Sequence, residues 1–314
     1  MKGKFLLDQC YYKKRILITG GSGFIGRHLQ NKLSDYGAIV AVIDNNPAHV
    51  KSSNVIQCDI RNYENLKSAI QNISPEIVFH LAAYIDRISE FNIIRKMIEV
   101  NLVGTLNLFE SLRDSSCKSI IIAGTSEEYG NNPVPFKEDY REDPVSPYSF
   151  SKVSISYLSK MLFNICKLPT VILRPTLAYG PGQEETMFIP SLIKTLLRNE
   201  NFMMTPGEQT RDFIYIDDLV NAYMKAGISE GYFGEIFNVG SGKAYKMKDV
   251  AHRIASFLNK ESLLAVGAKD YRKAEIMSYY ADISKATSCL NWMPEIDMDE
   301  GLRMTIESYS NENR

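Results

Sequence analysis

Through its first half the chain alternates short apolar runs with stretches in which apolar residues recur every three or four positions. The runs at 16–18, 38–43, 55–60, 76–83, 118–123 and 170–173 have the length and β-branched character of strands. Between them, 63–73 reads as a helix. So does 94–113, where Met97, Ile98, Leu102, Thr105, Leu108, Phe109 and Leu112 keep the helical period. Another helical stretch opens at Ser146 and turns Ile155, Leu158, Leu162 and Ile165 to one side. Strands that alternate with helices imply a parallel sheet covered on both faces, a doubly wound α/β fold. In the second half 190–197 and 219–224 read as helices, and 238–242 as a strand and turn that return to the first domain. The expected division is a loosely held extension (1–14), a first domain (15–175, with a later return near 210–245) and a discontinuous second domain (176–314).

Ligands on a doubly wound sheet lie beyond the carboxyl ends of the strands, so the residues just after each run carry the information. After the first run come Gly20, Gly21, Ser22, Gly23, Phe24, Ile25 and Gly26, and then a helical pattern. Glycine admits φ > 0 and lets backbone N–H groups approach a pyrophosphate with no Cβ in the way. The first helical turn adds unpaired N–H groups and the positive end of the dipole. Gly21, Gly23 and Gly26 fit one dinucleotide spacing, and Gly20, Gly23 and Gly26 fit another. The second run ends in Asp44, about 20 positions on, where a carboxylate accepts both ribose hydroxyls of NAD and repels the 2′-phosphate of NADP. NAD is therefore the expected cofactor and NADP the less favoured one; Arg27 is the residue that could soften the choice.

Bulk properties narrow the field. The formal net charge of −1 gives no electrostatic case for nucleic acid or an anionic membrane, so an anionic ligand must be held by local groups. Cys10, Cys58, Cys117, Cys166 and Cys289 are scattered and show no C-x-x-C pairing, which suits a reducing cytoplasm and argues against disulfides or zinc. The four histidines show no ligand spacing, so no metal is expected. No apolar stretch approaches the ~20 residues of a membrane span, and Phe5, Leu6 and Leu7 are too short a centre for a signal peptide.

Two further strand ends carry candidate chemistry. The run at 118–123 leads into Gly124, Thr125, Ser126, Glu127, Glu128, Tyr129 and Gly130. Tyr148 and Lys152 then stand four apart, on one face of the helix that opens at Ser146. An ammonium beside a phenol favours the phenolate and lowers its pKa. A tyrosine so tuned can take a proton from a sugar hydroxyl or return it to a ketone. Thr125, at the preceding strand end, is suited to hydrogen-bond the same oxygen. An i,i+4 pair is also a common surface feature, and it is the glycine loop upstream and the strand-end threonine that favour the chemical reading.

These motifs resemble the extended short-chain dehydrogenase/reductase superfamily, in its NAD-dependent epimerase/dehydratase branch acting on nucleotide sugars. The matching text includes Gly20 to Gly26, Asp44, Asp59, His80-Leu81-Ala82-Ala83, Asn101, Thr125 to Gly130, Tyr148-x-x-x-Lys152, Arg174-Pro175, Arg211-Asp212-Phe213 and Asn238-Val239-Gly240. The resemblance implies a Rossmann-like sheet with a smaller, mixed α/β C-terminal substrate domain. It implies that Gly20, Gly23, Phe24, Ile25 and Gly26 hold the NAD pyrophosphate, Asp44 the adenosine ribose, and Asp59 with Ile60 the adenine. Leu81, Ala82 and Ala83 would line the cofactor, and Lys152, with Tyr148, would meet the nicotinamide ribose. Tyr148 would be the acid/base, Thr125 and Ser126 would face substrate, and Arg211 and Arg272 would meet its diphosphate. Asn101 is implied to be structural. Family members often dimerise through two long helices, here 94–113 and 149–166, so a homodimer is expected. One departure is Leu177, where many relatives carry an asparagine that holds substrate.

Glu127 bears on the reaction. By resemblance, 4,6-dehydratases use a glutamate here to abstract the C5 proton, whereas simple 4-epimerases need none; 4-keto-6-deoxyhexose reductases have similar local text. The shared core is hydride transfer at C4 of an NDP-hexose, with a 4-keto-reductase or 4-epimerase first and a 4,6-dehydratase second. A non-catalytic NAD-binding sensor is a third reading, disfavoured because such proteins usually lose the Tyr/Lys pair and this chain keeps it.

Overall fold

The computed structural model describes Leu7 and residues 9–47, 54–86, 90–272 and 275–312. Strands β1 (Arg15–Thr19), β2 (Ile39–Asp44), β3 (Val55–Gln57), β4 (Ile77–His80), β5 (Ser119–Ala123) and β6 (Thr170–Pro175) lie side by side in the order 3-2-1-4-5-6. Every pair is parallel, and a later strand, β7 (Ile236–Val239), completes the sheet beside β6. Alternation along the strands feeds two layers. Ile16, Ile18, Phe79 and Ile121 belong to the layer on one side, with α1 (Phe24–Asp35) and the helix Ile216–Gly227. Leu17, Val78, Ile120 and Ile122 pack on the other against α2 (Tyr63–Ile73) and the helices that follow it. The doubly wound α/β fold expected from the pattern is the fold observed.

Three two-stranded ladders and the helices Phe188–Leu197, Met247–Leu258 and Met298–Glu312 dominate the second half. Their side chains Leu192, Val250, Ile254 and Leu302 belong to the same buried cluster as Ile16 and Phe79, so one core runs through both halves.

Two regions differ from the pattern. Leu7 and Tyr11, expected in a loose extension, are buried. The Tyr11 hydroxyl donates to Met224 O at 2.6 Å, and a Cβ on Gly227 would stand 2.5 Å from the Tyr11 hydroxyl oxygen. The four-residue spacing of these two side chains is the only trace of that docking in the sequence. The long helix expected over 94–113 runs instead as α3 (Phe91–Met97), a wider π-wound turn (Ile98–Val103) and α4 (Gly104–Leu112). The wide turn carries Asn101, fully buried. Its Oδ1 accepts Tyr84 N–H at 2.7 Å, and its Nδ2 donates to Tyr84 O at 3.0 Å and Ser151 Oγ at 2.9 Å. Wide turns of this kind are often found at functional sites.

Candidate active site

The order of the sheet reverses between β1 and β4, and the crevice of such a sheet opens at that reversal. β1 runs into Gly20, whose φ of +73° suits glycine; a Cβ there would stand 2.6 Å from Ala82 N, just past β4. A Cβ on Gly26 would lie 2.5 Å from Gly20 O, and one on Gly21 2.5 Å from Val42 Cγ1. Gly23 caps α1 with extended backbone. Both glycine spacings therefore describe one tight turn. Phe24 and Ile25 open the first turn of α1, where N–H groups lack intrahelical acceptors. Leu81, Ala82 and Ala83, half-buried, form the facing wall, and Leu81 N–H donates to Thr19 O at 3.0 Å. A turn closed to side chains at a helix N-terminus fits a dinucleotide pyrophosphate.

At the end of β2, Asp44 Oδ2 accepts the Ser22 N–H at 3.0 Å and the Ser22 hydroxyl at 2.5 Å, while Oδ1 accepts Asn46 N–H at 2.9 Å. The carboxylate thus ties the glycine turn to β2. Arg27 donates to Ser22 O at 2.8 Å and Gly182 O at 2.7 Å. Asp59 is clasped by Arg61, with Nη2 donating to Oδ2 at 2.6 Å, and that hydrogen bond holds its carboxyl below the usual carboxylate range. Ile60 is buried, and a Cβ on Gly104 would stand 2.6 Å from its Cδ1.

Under the crevice, Thr105 Oγ1 donates to Asn101 O at 2.5 Å and so accepts from His80 Nε2 at 2.8 Å. His80 Nδ1 is then an acceptor, served by the Thr19 hydroxyl at 2.6 Å. Burial, with the Lys152 charge nearby, pushes the His80 pKa down to about 3, in keeping with a neutral ring.

The reacting end is built by helix α5 (Pro147–Cys166). Ser146 caps it in a reciprocal box with Ser149, and Pro147 starts it, which fixes Tyr148 in its first turn. Lys152 Nζ donates to Ala123 O at 2.7 Å and stands 5.7 Å from the Tyr148 ring centre. Burial lowers the Lys152 pKa to about 8, against the opposing charge of Glu128. The structure reverses one expectation. The Tyr148 phenol is pushed up rather than down, by burial of its hydroxyl first and then by Glu127, Tyr223 and Glu128. The ammonium lies over the ring but is pinned to a carbonyl, and desolvation outweighs it.

Thr125 caps the turn Ser126–Tyr129, its Oγ1 accepting Glu127 N–H at 3.2 Å. Glu127 is exposed, and its charge reaches both Tyr148 and Tyr279. Ser126 requires a correction as a substrate contact. It is fully buried and donates to Pro175 O at 2.9 Å, so it accepts from the Tyr279 hydroxyl at 2.5 Å. Arg211 is half-buried, paired with Glu275 and donating to Ile276 O at 2.7 Å. Arg272 is exposed, and its carbonyl accepts Glu275 N–H at 3.1 Å, so Glu275 joins the two arginines. Leu177 lies in a ladder beside Phe213. Among the described residues no group of three or more potential ligands could hold a metal, and no helix is long and apolar enough to cross a membrane.

Sequence reading missed Tyr279, Glu275 and the buried carboxylate of Glu128, which Arg174 meets at 2.7 Å. A signal existed for the last. Arg174 follows the apolar run Val171-Ile172-Leu173 inside a buried strand, and a buried charge demands a partner.

The family model for the NAD dependent epimerase/dehydratase family matches residues 16–240. The chain is 33% identical to a UDP-glucuronate 4-epimerase of Thermodesulfobacterium geofontis, over 95% of this chain and 96% of that one. A crystal structure of a Thermotoga maritima UDP-glucose 4-epimerase with UDP-glucose superposes with a TM-score of 0.89 at 27% identity, covering 95% of this chain and 99% of that one. A Thermus thermophilus UDP-glucose 4-epimerase in complex with NAD gives 0.85 at 26% identity, over 94% and 99%.

Proposed function

The chain belongs to the NAD-dependent epimerase/dehydratase family of nucleotide-sugar enzymes, and from that premise we propose that it moves hydride at C4 of an NDP-hexose, as a 4-epimerase or 4-keto-reductase. The observation that carries the reading is the convergence of Tyr148, Lys152 and Thr125 at the carboxyl end of β5, next to the glycine crevice.

Gly20, Gly23, Phe24, Ile25 and Gly26 would hold the pyrophosphate of NAD, Asp44 the adenosine ribose, and Asp59 and Ile60 the adenine. Residues 81–83 would line the opposite wall, and Lys152 and Tyr148 would meet the nicotinamide ribose. NAD is favoured over NADP because Asp44 sets a carboxylate where the extra phosphate would fall, and Arg27 is engaged with carbonyls. When bound, the oxidised cofactor supplies a hydride acceptor and a positive charge beside the phenol. Thr125 Oγ1 already accepts a backbone N–H, so its hydrogen is available to the sugar O4. Tyr148, protonated in the ligand-free cleft, is ready to donate a proton at O4; it becomes a base only once a cation lowers its pKa. Arg211, released from Glu275, and Arg272 would take the diphosphate.

A 4,6-dehydratase is the second reading, favoured by the exposed carboxylate of Glu127 near Tyr148. The exposed side chains Val103, Leu106, Phe150, Tyr157, Met161 and Ile165 support a homodimer through α5 and the 91–112 rod, and free cysteines are in keeping with a cytoplasmic enzyme.

The test is turnover of UDP-glucose, UDP-glucuronate and dTDP-glucose without added NADH, products read by NMR. A new C4 epimer supports the epimerase, and a 4-keto-6-deoxy product the dehydratase. NADH consumed in step with a 4-keto sugar nucleotide identifies a reductase. Tyr148→Phe is expected to lower any of these rates by roughly 100-fold or more while NAD binding persists. Glu127→Gln should cripple only dehydration. Turnover undiminished in Tyr148→Phe would sink the proposal.

A further inference from the structure

Beneath the cleft lies a carboxylate that the chemistry above does not use. Glu128 is fully buried. Its Oε1 accepts the Thr125 N–H at 2.9 Å. Its Oε2 accepts the Ser156 hydroxyl at 2.7 Å, and Arg174 Nε and Nη2 at 3.0 and 2.7 Å. The donors come from three elements: the turn after β5, the middle of α5, and β6. Tyr148, Lys152 and Ser156 follow one another at intervals of four, so one face of α5 presents all three.

We propose that Glu128 is a positioning residue that clamps the turn bearing Thr125 and Glu127 to the face of α5 bearing Tyr148, which keeps the two hydroxyls at a working distance across the sugar. The inference rests on the roles given above to Tyr148 and Thr125. Four donors from three directions need an acceptor with two oxygens and about four lone-pair sites, which an ionised carboxylate has and a glutamine amide lacks. Arg174 is itself held by Glu142 Oε1 at 2.6 Å and by the face of Tyr129, 4.7 Å away. The cluster ends on the exposed face of α5, where the Tyr157 hydroxyl donates to Glu142 Oε2 at 2.9 Å. Every donor that meets Glu128 is thus fixed by its own element, and in a low-dielectric interior such a network is stiff.

Three variants of the full chain test this. Ser156→Ala cuts the direct link from Glu128 to α5 and leaves the Arg174 pair intact. Glu128→Gln removes the four-way acceptor. Tyr157→Phe trims the far end and serves as the control. Two readouts are needed: kcat and KM on whichever of UDP-glucose, UDP-glucuronate or dTDP-glucose the wild type converts, and amide hydrogen exchange at Thr125 without nucleotide. Glu128→Gln is expected to lower kcat roughly 100-fold and Ser156→Ala about 10-fold, with KM changing less than about twofold. In both, the Thr125 amide exchanges faster; Tyr157→Phe behaves as wild type. Should Glu128→Gln not fold, Ser156→Ala decides alone. Wild-type kcat in Ser156→Ala, or unchanged Thr125 exchange, overturns the clamp. If the wild type converts no nucleotide sugar the functional reading fails, and Thr125 exchange still decides whether the clamp exists.

Discussion

On the β1–β4 side of the cleft the chain keeps its shape chiefly by close approach at positions that carry no side chain. Gly20 and Gly26 bring backbone against backbone, so closely that a single added carbon at Gly26 would collide at 2.5 Å. Across the cleft, between β5, α5 and β6, shape is kept by the opposite means. Arg174, fully buried, bridges Glu128 and Glu142, and Glu128 also accepts the Ser156 hydroxyl, so charged and hydroxyl side chains tie the elements together. The first wall should tolerate a change of charge and fail on a change of volume. The second should tolerate volume and fail on charge.

Arg174→Met is the severest test of the second half of that contrast. It conserves much of the apolar bulk but leaves Glu128 and Glu142 facing each other without their cation. A loss of about 3–5 kcal/mol in chemical denaturation is expected; a loss under about 1 kcal/mol would put the two walls on the same footing. Gly26→Ala tests the first. Overpacking of this kind costs about 1–3 kcal/mol, and NAD affinity, followed by fluorescence titration, should fall while the Thr125 amide keeps its protection.

Acid distinguishes a neutral polar core from a charged one. His80, with its folded pKa lowered from 6.5 to about 3, contributes stability that is fully present above the unfolded value. That stability is lost as pH falls toward the folded value, because the unfolded ring takes up a proton that the folded ring refuses. Moving from about pH 7 to about pH 5.5 should therefore cost about 1 kcal/mol, and His80→Gln should flatten the dependence. The smallest effect is expected at Asp59. Its pair with Arg61 is 31% and 44% exposed, so Arg61→Gln should change stability by about 0.2–1 kcal/mol, and less in high salt.

The same contrast explains what the sequence disclosed. The glycine wall is local: a strand, a turn and a helix start within a dozen or so residues, and their spacing records a backbone geometry. The Tyr148–Lys152 pair is equally local, one turn of one helix. Tyr279 meets Ser126 from 153 positions away, and Arg211 meets Glu275 from 64. No periodicity links such residues; only the folded topology does. The raised pKa of Tyr148 was illegible for a related reason, since it follows from how deep the hydroxyl lies and from two carboxylates elsewhere in the chain. The shared core of the two halves was hidden too, because composition does not change where one half gives way to the other.

The π-wound turn at Ile98–Val103 has a consequence for chain length. It carries about one residue more than regular winding needs, which makes it the place where the rod could lose a residue and heal. Such a deletion would leave the two ends of the rod in nearly the same setting, since a wide turn spends less rotation per residue than the ~100° of regular winding. What it would remove is the bulged backbone that presents the Asn101 amide to Tyr84 and Ser151 together. The surplus residue works as a bracket: its worth lies in the side chain it holds out, and the rod on either side is indifferent to its loss.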